Sequence, residues 1–187
     1  MFPLILTMAS FTASSQACGP GRFVFSTSSH IPMEEIPKWI TIKRIGDRPK
    51  LDPVNFMALL PLEEVETVLR DDGWTSSGFD DPAELEGEPP VLRMMKPVFL
   101  WFVERLHARL WRRNIVVGNV HLDAVRPAAQ LPRLLDHVPN HVAGRYYVAK
   151  VFAARGYGIE MAYMANETEG HDGYAVKIYK SDRSVWT

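Results

Sequence analysis

Cysteine is nearly missing from this chain. Cys18 is the only one in 187 residues, which excludes an intrachain disulfide and any CxxC-type metal site. A reducing compartment is compatible with this. Its surroundings, SSQAC followed by GPG, bring no cation or helix start that would lower the thiol pKa, so no nucleophilic role is assigned. An excess of one charge is also missing. Lys and Arg number 21 against 22 Asp and Glu, for a formal charge of -1, so no general field draws the chain to nucleic acid or an anionic membrane. Long apolar runs are absent too. MFPLILTMASF is broken by Thr7 and Ser10 and falls short of the ~20 residues that span a bilayer, so no transmembrane segment is expected. GxGxxG, Walker A, GxSxG, HExxH and EF-hand spacings do not occur, so neither cofactor-binding nor catalytic residues are assigned.

The ordinary part of the composition, 47% apolar and 23% charged, suits one globular domain with a sizeable core. The expected division is an extension over 1–30 and a single domain over 31–187. Two readings of the extension stay open. It is a signal segment with 2–11 as its apolar region and SQA as its cleavage site, although it lacks a positive start. Alternatively it is a flexible or strand-bearing terminus, with RFVFSTS at 22–28 as a strand. Cytoplasmic localisation is the expectation, with a secreted or envelope-associated protein as the alternative.

The spacing predicts an α+β fold: a compact mixed or antiparallel sheet with two principal helices. Trp39–Ile45 reads as a strand. PVNFMALL reads as a buried strand over 54–60, and Pro61 opens a helix whose Leu62, Val65, Val68 and Leu69 form an apolar stripe. Gly73 supplies the stop, and Trp74 packs back on the unit. Residues 75–97, with five carboxylates and prolines 82, 89, 90 and 97, read as an irregular solvated loop. A strand follows at 98–103, then a hairpin with arms 105–111 and 115–121 around Arg113–Asn114. A helix over 98–111 competes with this reading. Asn140 caps a second helix over 141–155, and Gly156 ends it. GIEMAYM and YAVKIYK are two strands joined by ANETEGHDG.

One group resembles a ligand set: His121 and Asp123, then His137 and His141. The i,i+2 spacing puts the first two on one face of a strand, and the other two approach from the following loop and helix start. Imidazoles with a carboxylate bind zinc or another divalent ion and activate water. Asp136 beside His137 gives an acid–base alternative. Capping and packing account for the same residues without any site. Arg105, His107, Arg109 and Trp111 form a second candidate surface, and Arg112 and Arg113 join Arg105, Arg109 and Trp111 in a nucleic-acid reading, because arginine binds phosphate and tryptophan stacks on bases. His30 and His171, in loop-like contexts, have weaker claims.

In order along the chain, GDRPKLDPVNFMALLPLEEVETVLRDDGW, RLHARLW, VVGNVHLD and LDHVPNH with its following helix resemble the C-terminal domain of LssY-like proteins. The likeness covers about residues 46–156. It implies a compact α/β domain with paired strands over 105–121, similar to domains attached to membrane phosphatase-like or DedA-like regions. It marks His107, His121, Asp123, His137 and His141 as the positions to examine. Here Leu106 precedes His107 where relatives carry another histidine. The resemblance implies no activity. The leading expectation is a noncatalytic domain binding a small ligand or a protein. A divalent-metal-dependent hydrolase is the enzymatic alternative and a nucleic-acid-binding accessory protein the third.

Overall fold

The structure is a computed structural model describing residues 33–43, 49–78, 82–99, 104–127, 135–168 and 170–181. The side chains at 33, 99, 124–127 and 135–138 lie outside that description, as do His30 and the expected strand at 22–28. Eleven strands and two α-helices are present among the described residues, so the fold is α+β with two principal helices.

The first strands, β1 (Trp39–Ile42) and β2 (Lys50–Pro53), pair antiparallel, and β5 (Ala83–Glu84) lies on the other side of β1. Everything else joins one mixed sheet. Its strands are β3 (Phe56–Ala58), β4 (Thr75–Ser76), β6 (Leu92–Phe99), β7 (Glu104–Arg112), β8 (Val116–Pro127), β9 (Leu135–Asn140), β10 (Tyr157–Tyr163) and β11 (Tyr174–Lys180). The order is β10-β11-β3-β8-β7-β6-β4, with β9 also paired to β8. Among the described strand pairs only β3–β11 is parallel.

Local chemistry explains α1 (Leu62–Asp71). Pro61 stands at its N-cap, Glu63 and Glu64 lie at the positive helix end, and Val65, Val68 and Leu69 are buried. Gly73 takes φ 88°, a backbone shape open to glycine, and sends the chain back so that Trp74 is only 2% exposed. The second helix, α2 (His141–Ala154), follows Asn140, whose side chain accepts from Ala143 N at 2.9 Å. Both helices cover one face of the large sheet, over Phe56, Leu106, Leu110, Val120, Val176 and Ile178. The small sheet covers part of the other face, over Met57, Trp111, Val117 and Ala175.

Two expectations fail. Residues 75–97 are not an irregular loop: they contain β4, β5 and most of β6. Prolines and carboxylates dominate the local reading, but β6 pairs along β7 from Leu92↔Leu110 to Pro97↔Arg105. Tertiary pairing thus overrides local preference. Pro97, which has no N–H to donate, sits beyond the two-residue β4, where among the described residues no strand is bonded to that side of β6. Second, the stretch before α2 is not a loop throughout. Residues 135–140 form β9, with His137 opposite Val125. The expected hairpin turn at Arg113–Asn114, both helices and the two last strands are all found. The strand expected at 98–103 overlaps only the end of β6, and 100–103 lie outside the described residues.

Candidate functional site

The long hairpin β7–β8 aligns alternate residues across two strands. Arg105 faces Asp123, His107 faces His121 and Arg109 faces Asn119. All six therefore point to the face opposite the helices, where side chains project at every second residue. Among the described residues, the small sheet covers this strip from its Trp111 and Val117 end as far as Arg109 and Asn119, which bond Asp52 and Pro53.

Four imidazoles make a continuous row. His107 stacks on His121 with centroids 5.3 Å apart, His121 meets His141 edge-on at 5.5 Å, and His141 meets His171 at 6.0 Å. The row thus runs from β7 through β8 and the first residue of α2 to the β10–β11 connection. The sequence marks three of these histidines. His171, with a weaker claim there, belongs to the row because its connection folds over the start of α2: Gly170 O accepts from His141 N and Val142 N at 3.1 and 3.3 Å.

Three buried asparagines hold the row. Asn55 Nδ2 donates to Val120 O at 2.7 Å and to His141 O at 3.0 Å, while its Oδ1 accepts from Val120 N at 2.8 Å. Its amide thereby stands in for a strand backbone in the gap between β3 and β9 on the same flank of β8. Asn119 Nδ2 donates to Pro53 O at 2.7 Å and to His141 Nδ1 at 3.1 Å, and its Oδ1 lies 2.9 Å from His121 Nδ1. Asn166 Nδ2 donates to the carbonyls of Lys38 and Val54 at 2.9 and 3.1 Å, and its Oδ1 lies 3.1 Å from His171 Nε2.

Those backbone carbonyls only accept, so they fix which end of each amide is nitrogen, and the amides then fix the imidazole protons. His121 carries its proton on Nδ1. His141 accepts at Nδ1 and carries its proton on Nε2. His171 donates from Nε2, and its Nδ1 is buried without a hydrogen-bond partner. Burial is the main reason all three stay neutral at pH 7. With the Arg109 guanidinium and neighbouring imidazoles added, it holds His121 well below its ordinary 6.5. It lowers His141 to about 4, against Asp52. It also lowers His171 to about 4, aided by His141 and Arg145 and opposed by Asp172.

A carboxylate stands at each end. Asp123 Oδ2 is 3.4 Å from His107 Nε2 and 4.0 Å from Arg105 Nε, and its Oδ1 is 3.6 Å from His121 Nε2. At the other end the fully buried Arg145 holds Asp172 through two bonds of 2.5 and 2.8 Å and also donates to Tyr174 O.

Of the four residues expected to bind metal, His121, Asp123 and His141 come together, but His141 turns Nδ1 to Asn119 and carries a proton on Nε2. It offers no lone pair to a metal. Among the described residues no three His, Cys, Asp or Glu side chains are arranged to hold a metal ion. The side chain of His137 is outside the described residues. In the second candidate surface, Arg109 bonds Asp52 at 2.7 Å. Trp111 is 2% exposed and donates to Glu88 O at 2.8 Å, so its ring is not available for stacking on a base. Arg112 pairs with Glu63, and Arg113 donates to Leu85 O at 3.2 Å. Two surface grooves, of about 640 and 530 Å³, flank this turn and share Arg112–Ile115, away from the histidines.

Helix α2 reaches this row through Gly144. A Cβ there would lie 2.5 Å from His121 Cα and 2.7 Å from both His121 N and Val120 O. Backbone atoms cannot move aside as a side-chain tip can. Gly144→Ala should therefore destabilise the fold by about 1–3 kcal/mol, despite the ~1 kcal/mol that alanine gains in a helix. Urea denaturation checks the sign, since a stabilised variant would show that α2 is free to lift from β8.

The fold and site define an α+β domain with a buried, amide-locked histidine row. Comparison with known protein families, curated proteins and solved structures finds no match for the chain. Among the described residues no helix is long and apolar enough to cross a membrane.

Proposed function

We propose that the chain is a noncatalytic domain that binds a small polar ligand at the outer end of the histidine row, around Arg105, His107, His121 and Asp123. The row itself carries this reading. Buried imidazoles and amides cost stability unless every group is partnered, and this network ends at side chains that reach water: Arg105 is 29%, His107 20% and Asp123 16% exposed. A general acid or base works best with a pKa near the operating pH. Histidines held near 4 serve better as fixed donors and acceptors, which favours binding over catalysis. The hydrolase alternative needs a further metal ligand beside His121 and Asp123, and His141 does not supply it. The nucleic-acid alternative loses its stacking platform with Trp111 buried.

Kinship with LssY-like C-terminal domains belongs to the same proposal. It is supported by the adjacency of RLH-x-RLW and G-x-x-H-x-D as paired strands with stacked histidines. The test is thermal unfolding of the full chain and of Asp123→Ala with hydroxy acids, alkylamines, zinc and a single-stranded oligonucleotide. A small molecule should raise the wild-type Tm and leave the variant unchanged. Stabilisation by zinc alone would favour the hydrolase, and stabilisation by the oligonucleotide alone would favour the nucleic-acid reading.

A further inference from the structure

We infer that Tyr146, Tyr163 and Tyr174, with the carboxylates of Glu167 and Asp172 beside them, form a docking surface for a protein partner that lays a basic side chain across the rings. This surface lies at the His171 end of the row and does not depend on the small-ligand reading. The three rings are 51%, 55% and 41% exposed, and contacts tie them into one patch. Tyr163 and Tyr174 face each other across β10 and β11, with centroids 5.1 Å apart. The Arg145 guanidinium donates to Tyr174 O and lies 5.1 Å from the centre of the Tyr146 ring. The other large apolar side chains exposed among the described residues, Leu51, Val91 and Val98, lie elsewhere, on β2 and at β6.

The patch is held rigid. The Tyr163 hydroxyl donates to Glu167, and Gly173, at φ 81°, lies so close that a Cβ there would sit 2.9 Å from the Tyr163 ring and 3.0 Å from Glu167 Cγ. Arg145 is fully buried beneath and bonds Asp172 twice. Rings fixed in this way lose little freedom when a partner binds. Charge then selects the partner. Tyrosine faces attract cations, and Arg145, the cation in contact with these rings, is buried, whereas Glu167 and Asp172 are exposed. The bond from Tyr163 holds the Glu167 carboxyl below its ordinary value, and Arg145 does the same for Asp172, so both are ionised at pH 7. The phosphates of nucleic acid or of an anionic lipid would meet like charge here. An arginine or lysine of a protein partner meets ring faces and carboxylates together, and tyrosine is enriched at the centres of protein interfaces.

Carbon-13 NMR of the tyrosine rings in the intact chain tests this at low salt. The probes are an end-blocked alanine–arginine–alanine peptide, its glutamate counterpart, methylguanidinium and a single-stranded oligonucleotide. The arginine peptide should shift the ring signals of Tyr146, Tyr163 and Tyr174. Tyr146→Ser and Glu167→Gln should each weaken that binding about threefold or more. Both should keep the wild-type urea midpoint, since the two side chains are exposed and glutamine still accepts from Tyr163. Silence with the arginine peptide, an equal response to the glutamate peptide or the oligonucleotide, or binding that both variants leave unchanged overturns the inference. Equal affinity for methylguanidinium also overturns it, because the patch would then be a small-cation site and not a protein surface.

Discussion

Replacing Asn55 by alanine should cost the fold about 3–6 kcal/mol, read as a fall in the urea midpoint at unchanged slope. The side chain is fully buried, and its three bonds go to backbone groups, namely Val120 N, Val120 O and His141 O. Alanine removes all three partners at once. Each group left without a partner in the interior costs roughly 1–3 kcal/mol, and the three together approach the whole stability of a typical domain. Asn55→Asp keeps an acceptor for Val120 N but loses both donations and buries a charge, so it should be no milder. The exposed Asn114→Ala, in the β7–β8 turn, should stay within about 0.5 kcal/mol of wild type. Equal midpoints for Asn55→Ala and Asn114→Ala would show that water replaces the Asn55 amide without loss.

Acid should unfold this protein earlier than its carboxylates alone require. His141 and His171 are lowered from 6.5 to about 4 in the fold, and His121 moves the same way. Below 6.5 the unfolded chain takes up protons on these residues while the folded chain does not. Stability therefore rises with pH across this window, is complete above about 6.5, and is lost as pH falls toward 4. A shift of that size corresponds to about 3 kcal/mol for each of the two histidines. Urea midpoints at about pH 7.5, 6 and 5 separate this from carboxylate titration, which is centred near pH 4. A flat midpoint between the first two would show that the imidazoles are already solvated or charged in the native chain.

The parts legible in the sequence are those held by near neighbours. The strand–helix unit at 54–73 announces itself by Pro61, the Val65–Val68–Leu69 stripe and Gly73, all within one short span. Asn140 caps α2 three residues away, and the β7–β8 turn lies where the apolar alternation breaks. What was hidden depends on distance along the chain. β6 looks like a loop because prolines and carboxylates crowd its approach, and only pairing with β7 makes it a strand. At the candidate site, His121 and Asp123 follow from i,i+2 spacing. His107 joins them through hairpin register, which places it directly across from His121. His171 had no local signal, since it enters only when the β10–β11 connection closes over α2. The asparagines were invisible for the same reason. Asn55 reaches a partner 65 residues away, and Asn166 reaches one 128 residues away, while in the sequence Asn55 reads as one more residue of a buried strand and Asn166 as an ordinary turn residue.

The gap that Asn55 fills gives one backbone amide an unusual position. Val120 N–H lies in a central strand, yet on that flank a side chain holds it instead of a neighbouring backbone. Amides in such strands ordinarily exchange with solvent only through global opening. In Asn55→Ala, Val120 should become a fast-exchanging amide between slow neighbours, Asn119 and His121, which face Arg109 and His107 in the β7–β8 ladder. Hydrogen exchange at that single residue would then report whether β9 and α2 can part from β8 while the rest of the sheet stays closed.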